Sequence, residues 1–152
     1  MSGDPLVYTD SWPVRQYEID ANGHVNNAVY LNYAEEMAAR HAEASGFGVE
    51  WARAHGGTWV IRRSEVDYHA PARYGDRLNL TVRVEAVQGT RGQRRTTVER
   101  GADSRLLAEI FTEWVWVRLS DGRPAPVPME LVRTAAAATR ATLALRSLKR
   151  PR

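Results

Sequence analysis

Asp20-Ala21-Asn22-Gly23-His24-Val25-Asn26-Asn27-Ala28-Val29-Tyr30 packs several chemically useful side chains into one short stretch. A carboxylate such as Asp20 can act as general base on water, or attack an electrophilic carbon directly. An imidazole such as that of His24 can suit acid–base work. Asn22 and Gly23 belong to turn chemistry, because both tolerate positive φ. Asn26 or Asn27 can then cap a helix. A helix N-terminus presents unpaired N–H groups and about half a positive charge. That is a natural place to hold a developing oxyanion. The stretch therefore permits acyl transfer or hydrolysis. The same residues also satisfy a plainer reading, in which Asp, Asn and Gly make a turn and Asn caps the helix.

The flanking elements decide how such a stretch is held. Residues 7–19 are rich in β-formers and predict an extended segment, interrupted near Pro13. Residues 28–45 predict the most secure helix. Tyr30, Tyr33, Ala34, Met37, Ala38 and His41 recur at helical spacing, with Asn32, Glu35, Glu36, Arg40 and Glu43 on the other side. Gly46 ends that helix, and 49–55 predicts a short second one. Residues 58–69 read as a strand that stops at Pro71. Residues 78–86 alternate apolar and polar with a period of two. Residues 94–100 and 106–119 give two more strands, and 129–148 is Ala/Leu-rich and helical. Consecutive strands with short turns pair antiparallel. One long helix cannot cover a five-stranded face and both its edges, which predicts a dimer that pairs edges or packs sheets.

Residues 20–30 resemble the signature of hotdog-fold acyl-thioester hydrolases. These include the 4-hydroxybenzoyl-CoA thioesterase family, its acyl-CoA thioesterase relatives and the plant-type acyl-ACP thioesterases. A second matching block runs Glu65-Val66-Asp67-Tyr68-His69-Ala70-Pro71-Ala72-Arg73-Tyr74-Gly75-Asp76-Arg77-Leu78. The resemblance covers residues 7–132 and implies an α+β hotdog: one long central helix wrapped by a roughly five-stranded antiparallel sheet. Residues 133–152 form an Ala/Arg-rich basic extension outside the pattern.

The resemblance implies roles residue by residue. Asp20 matches the essential carboxylate, as nucleophile or general base. The backbone N–H of Asn27 matches the donor that polarises the thioester carbonyl. Gly23 matches the glycine of the tight turn. Asn22 and His24 coincide with the polar pair that orients substrate or water in the acyl-ACP branch. The downstream acidic residue of the plant enzymes has no match, because that region reads Gly57-Thr58-Trp59. Tyr30, Trp59, Val60 and Ile61 are candidates to line an acyl pocket, with core packing as their alternative. Arg62 and Arg91 are candidates for CoA phosphates, since Arg makes bidentate phosphate contacts. Arg63, Arg94 and Arg95 share that chemistry, and each of these cations also fits a solvated surface charge. The expected substrate is an acyl-CoA, with acyl-ACP or a non-catalytic acyl-CoA-binding role as alternatives. A homodimer, or a tetramer of paired dimers, is expected.

Composition narrows the field further. The chain has 152 residues, 43% of them apolar, which fits one domain. Cysteine is absent, which excludes disulfides, zinc-thiolate sites and a thiol nucleophile. Four scattered histidines with no His-x-x-x-His spacing predict no metal site, and no cofactor is expected. No apolar run approaches the ~20 residues of a membrane span, and the N-terminus does not read as a secretory signal, so a cytoplasmic protein is expected. The net charge is +3, yet residues 133–152 hold six cations and no acid. Residues 1–132 are therefore net acidic, and no basic face for nucleic acid is expected. The tail reads as a frayed, solvated terminus.

Overall fold

In the computed structural model, residues 3–148 are described. The chain runs β1 (Val7–Pro13), a 3-10 turn (Gln16–Glu18), α1 (Val29–Ala44), α2 (Val49–Ala54), β2 (Gly57–Tyr68), β3 (Arg77–Gln88), β4 (Arg91–Arg100), β5 (Leu106–Arg118) and α3 (Met129–Leu148). The extended segment expected over 7–19 is shorter than its composition suggests. Proline carries no N–H for the ladder, so β1 stops at Pro13 and the chain tightens into the 3-10 turn. Glu18 fixes that turn, its carboxylate accepting the Arg15 N–H at 2.7 Å.

The strands form one antiparallel sheet in the order β1-β3-β4-β5-β2. Helix α1 lies against it. The face predicted from spacing is the one that is buried: Tyr30, Tyr33, Ala34, Met37, Ala38 and His41. Leu78, Leu80 and Val82 of β3 meet it, each almost fully buried, together with Val98, Leu107 and Ile110 from β4 and β5. Each large apolar side chain so buried contributes ~1.5–3 kcal/mol. Met37→Ala at the centre of this layer would cost ~2–5 kcal/mol, because a cavity would remain. This is the hotdog arrangement, a long helix held by a curved antiparallel sheet.

Strands β1 and β2 are the sheet's two edges. On β2, Val60 and Ile61 remain 43% and 39% exposed. Helix α3 runs through the boundary expected at 132/133. Its Ala135 and Ala138 are buried against Leu6, Val84 and Val87. Small alanines let α3 approach the sheet closely, so this part of the basic extension is packed rather than frayed. The rest of the tail, 149–152, lies outside the described residues. No described helix is long and apolar enough to cross a membrane.

Candidate active site at the start of the long helix

The loop before α1 is fixed by a dense set of short-range bonds. Ile19 and Val25 form a β-bridge, and the Asp20 N–H donates to the His24 carbonyl at 2.8 Å. Gly23 closes the turn by donating to the Asp20 carbonyl at 3.0 Å, with φ at +75°. A side chain at that φ would be strained, which is why the position carries glycine. Asp20 Oδ1 accepts the Asn22 N–H at 2.9 Å and, more weakly, the His24 N–H at 3.4 Å. Oδ2 has no hydrogen-bond partner among the described residues. The carboxylate is therefore held in place by one oxygen while the other stays available. Asp20 and His24 are half-buried, whereas Asn22 and Gly23 are exposed.

Helix α1 begins later than its capping residues suggest. Ala28 is the N-cap and makes no side-chain cap. Asn26 does the capping work two residues earlier, accepting the Ala28 N–H on Oδ1 at 2.9 Å and the Val29 N–H on its carbonyl at 2.9 Å. Asn27 thus sits just ahead of the first helical turn rather than within it. It is exposed, and no acceptor among the described residues takes its N–H. That leaves one backbone donor without an acceptor just before α1.

The two blocks that carried the family resemblance meet in space here. The Val25 N–H donates to the Ala72 carbonyl at 2.8 Å. The Tyr68 hydroxyl, at the end of β2, donates to the Asn27 carbonyl at 2.7 Å. Tyr30 meets Tyr68 edge-on at 5.5 Å, and Tyr33 edge-on at 5.7 Å. Tyr68 is a residue that the sequence did not single out. Its partner is a backbone carbonyl 41 positions away, so no local pattern could reveal the contact. Burial raises the hydroxyl pKa of Tyr30, Tyr33 and Tyr68, so all three stay protonated at neutral pH.

The other expected site residues do not join this group within one chain. Tyr30 is 2% exposed and belongs to the core, not to a pocket wall. Trp59 lies nine residues up β2 from Tyr68, about 30 Å along the strand. There it packs edge-on against Trp116 at 5.3 Å, over Gly92, where a Cβ would come within 3.2 Å of its ring. Val60 and Ile61 face solvent at the sheet edge. Arg62, at a β-bulge, and Arg91, on β4, both turn onto Glu113, at 2.7 and 3.0 Å. Gln93 also donates to Glu113, at 3.2 Å. Gln93 and Arg62, with Arg91 behind them, hold the Glu113 carboxyl below the usual range. These two arginines are internal ion-pair partners here, since a mostly buried carboxylate on β5 needs their charge. Among the described residues, no group of three His, Asp or Glu side chains could hold a metal ion.

Comparison with known proteins identifies the family. A model of the thioesterase-like superfamily matches residues 14–135. The long-chain acyl-CoA thioesterase FadM of Escherichia coli K12 is 27% identical over 118 residues, covering 78% of this chain and 89% of that protein. The acyl-CoA thioester hydrolase YbgC of Escherichia coli is 32% identical over 81 residues, 52% of this chain and 60% of that protein. Among solved structures, the DHNA-CoA thioesterase of Staphylococcus aureus superposes with a TM-score of 0.78, covering 96% of this chain and 97% of that one. Its identity of 15% speaks to the fold alone. The family model spans most of the chain and the sheet and helix form a hotdog, and the chain belongs to the thioesterase-like superfamily, a family of thioester-hydrolysing enzymes.

Proposed function

We propose that this chain hydrolyses an acyl-CoA to the free acid and CoA, working in the cytoplasm, with Asp20 as the reacting carboxylate. The observation that carries the reading is the state of that carboxylate. One oxygen is anchored by the Asn22 N–H and the other has no hydrogen-bond partner among the described residues, and the Asn27 N–H, seven positions on, is likewise without an acceptor there. The thioester carbonyl oxygen accepts from the Asn27 N–H, and charge builds on it there. One such donor is typically worth ~3–4 kcal/mol. Asp20 either takes a proton from water as the water attacks, or attacks the carbonyl carbon itself and releases the thiol. The second route leaves a mixed anhydride, which water then opens. His24 and Asn22 border the loop and orient the water or the substrate. Tyr68 keeps the Asn27–Ala28 peptide in register through its hydroxyl.

An acyl-CoA is favoured over an acyl-ACP because FadM and YbgC, which match the chain, are both acyl-CoA enzymes by name. Pairing through an exposed sheet edge would complete the enzyme as a dimer. Strand β2 is an edge strand on which Val60 and Ile61 are exposed, and an unpaired edge is a ready template for a second copy. The test is thiol release from a panel of aliphatic and aryl acyl-CoAs by the wild type and by Asp20→Asn. Release by the wild type, reduced at least ~100-fold in the mutant, is expected. Equal release by a folded Asp20→Asn protein would end the assignment.

A further inference from the structure

The opposite end of α1 holds a second feature that thioester hydrolysis at Asp20 does not use. A cavity of about 250 Å³ opens between the C-terminal half of α1, the helices α2 and α3, and the sheet. Ala38, Trp59, Val87, Trp114 and Ala135 give it a mainly apolar wall. Arg94 of β4, half-buried, lines the same cavity. His41, the polar residue beside it, lies 13 residues beyond Ala28, about 20 Å along the helix axis from the Asp20 loop.

Arg94 is poorly compensated. Among the described residues its guanidinium makes one hydrogen bond, from Nη1 to His41 Nδ1 at 2.7 Å. His41 Nε2 lies 2.9 Å from the Pro5 carbonyl, which can only accept. Nε2 therefore carries the ring proton, and Nδ1 offers Arg94 a lone pair. The imidazole is neutral and supplies no counter-charge. The two carboxylates at the cavity do not supply one either. Glu43 accepts the Val49 N–H at 3.0 Å, and Glu35 is exposed on α1. Neither forms an ion pair with Arg94. Burial alone lowers the guanidinium pKa to about 10, which still leaves it cationic at neutral pH. A half-buried guanidinium whose one hydrogen-bond partner is a neutral ring can take an anion beside it. Its four other N–H donors have no partner among the described residues.

We propose that this cavity is a binding site for a free carboxylic acid with an apolar tail, the carboxylate seated on Arg94 and the tail between α1, α3 and the sheet. The charge complement decides the head group, because a carboxylate matches the planar fork of a guanidinium. The apolar wall decides the tail. The cavity lies just below the ~300–1,000 Å³ of ordinary ligand sites, which suits a medium chain. This site is separate from Asp20 and does not depend on the hydrolytic reading.

Calorimetric titration of the full chain with decanoate, decanol and decyltrimethylammonium tests the proposal. The wild type is expected to bind one decanoate per chain, at least ~tenfold tighter than decanol or the ammonium. Arg94→Gln is expected to lose that preference, decanoate weakening ~tenfold while decanol is little changed. Asp20→Asn is expected to bind decanoate as the wild type does. In the wild type, NMR contacts should run from the decanoate methylenes to the Trp59 and Trp114 rings, a readout that does not need the variant to fold. Decanoate bound no tighter than decanol, or contacts elsewhere than these indoles, would overturn the proposal. So would decanoate affinity lost on Asp20→Asn.

Discussion

The two ends of α1 are built on opposite principles. At the N-terminal end, polar groups crowd a solvent-facing loop and are held by bonds spanning two to four residues, such as Asn22 and His24 on Asp20. At the C-terminal end, an apolar cavity is lined by one half-buried cation, whose contacts span long stretches of chain: Arg94 to His41 across 53 positions, His41 to Pro5 across 36. The first end leaves a reactive oxygen and a backbone donor accessible to water. The second lines an apolar cavity with a charge whose one hydrogen-bond partner is a neutral ring. A single rigid helix thus separates a place suited to bond breaking from a place suited to holding an anion.

The sharpest way to break that contrast is at the loop. Asp20→Asn keeps the turn acceptor and removes the base, so turnover should fall at least ~100-fold with thermal stability little changed. A comparable loss of stability would mean that Asp20 serves only the turn.

The next largest effect lies at the buried end and appears as a pH dependence. Burial, with the Arg94 charge second, pulls the His41 imidazole below its ordinary range. The neutral ring also rests on Tyr8, stacked at 5.9 Å, and Asp4 is near enough to oppose the shift. An unfolded chain takes up the proton near ~6.5, while the folded one resists it. Stability should therefore be full above pH ~6.5 and fall as the pH drops below it, by up to ~1.4 kcal/mol per unit, until the folded ring protonates. Urea unfolding from pH 8 to pH 5 checks this, with a shallower slope expected for His41→Gln. Equal slopes would show that His41 titrates alike in both states.

Tyr68→Phe sharpens the loop end. Removing the hydroxyl loosens the Asn27 peptide, so kcat should fall ~3–10-fold while KM holds, as expected for a positioning group worth about one hydrogen bond. A change confined to KM would place Tyr68 in substrate binding instead. The smallest effect belongs to Asn26→Ala. It removes the side-chain acceptor of the Ala28 N–H and should cost ~1 kcal/mol in denaturant unfolding.

What the sequence made legible follows the same contrast. Helix α1 and its buried face were readable because a 3.6-residue period survives in one unbroken stretch, from Tyr30 to His41. Strand β3 was readable from the alternation of Leu78, Leu80 and Val82. The Asp20 loop was readable because its bonds are local. The cavity was not, since Arg94 looks like any arginine in a polar strand until β4 is laid beneath α1. The ion pairs of Arg62 and Arg91 were not legible either, for the same reason. As isolated cations they suit a phosphate, and only the pairing of β2 and β4 with β5 brings them onto Glu113. The late start of α1 also escaped, because Asn26 and Asn27 are equivalent caps on paper and only the chain path selects Asn26.

One measurement bears most directly on Asp20 as the reacting group: single-turnover thiol release from an acyl-CoA by the wild type and Asp20→Asn, each verified as folded. The account predicts rapid release by the wild type and release slower by at least ~100-fold in the mutant. Undiminished release by Asp20→Asn would contradict it and move the chemistry away from the start of α1.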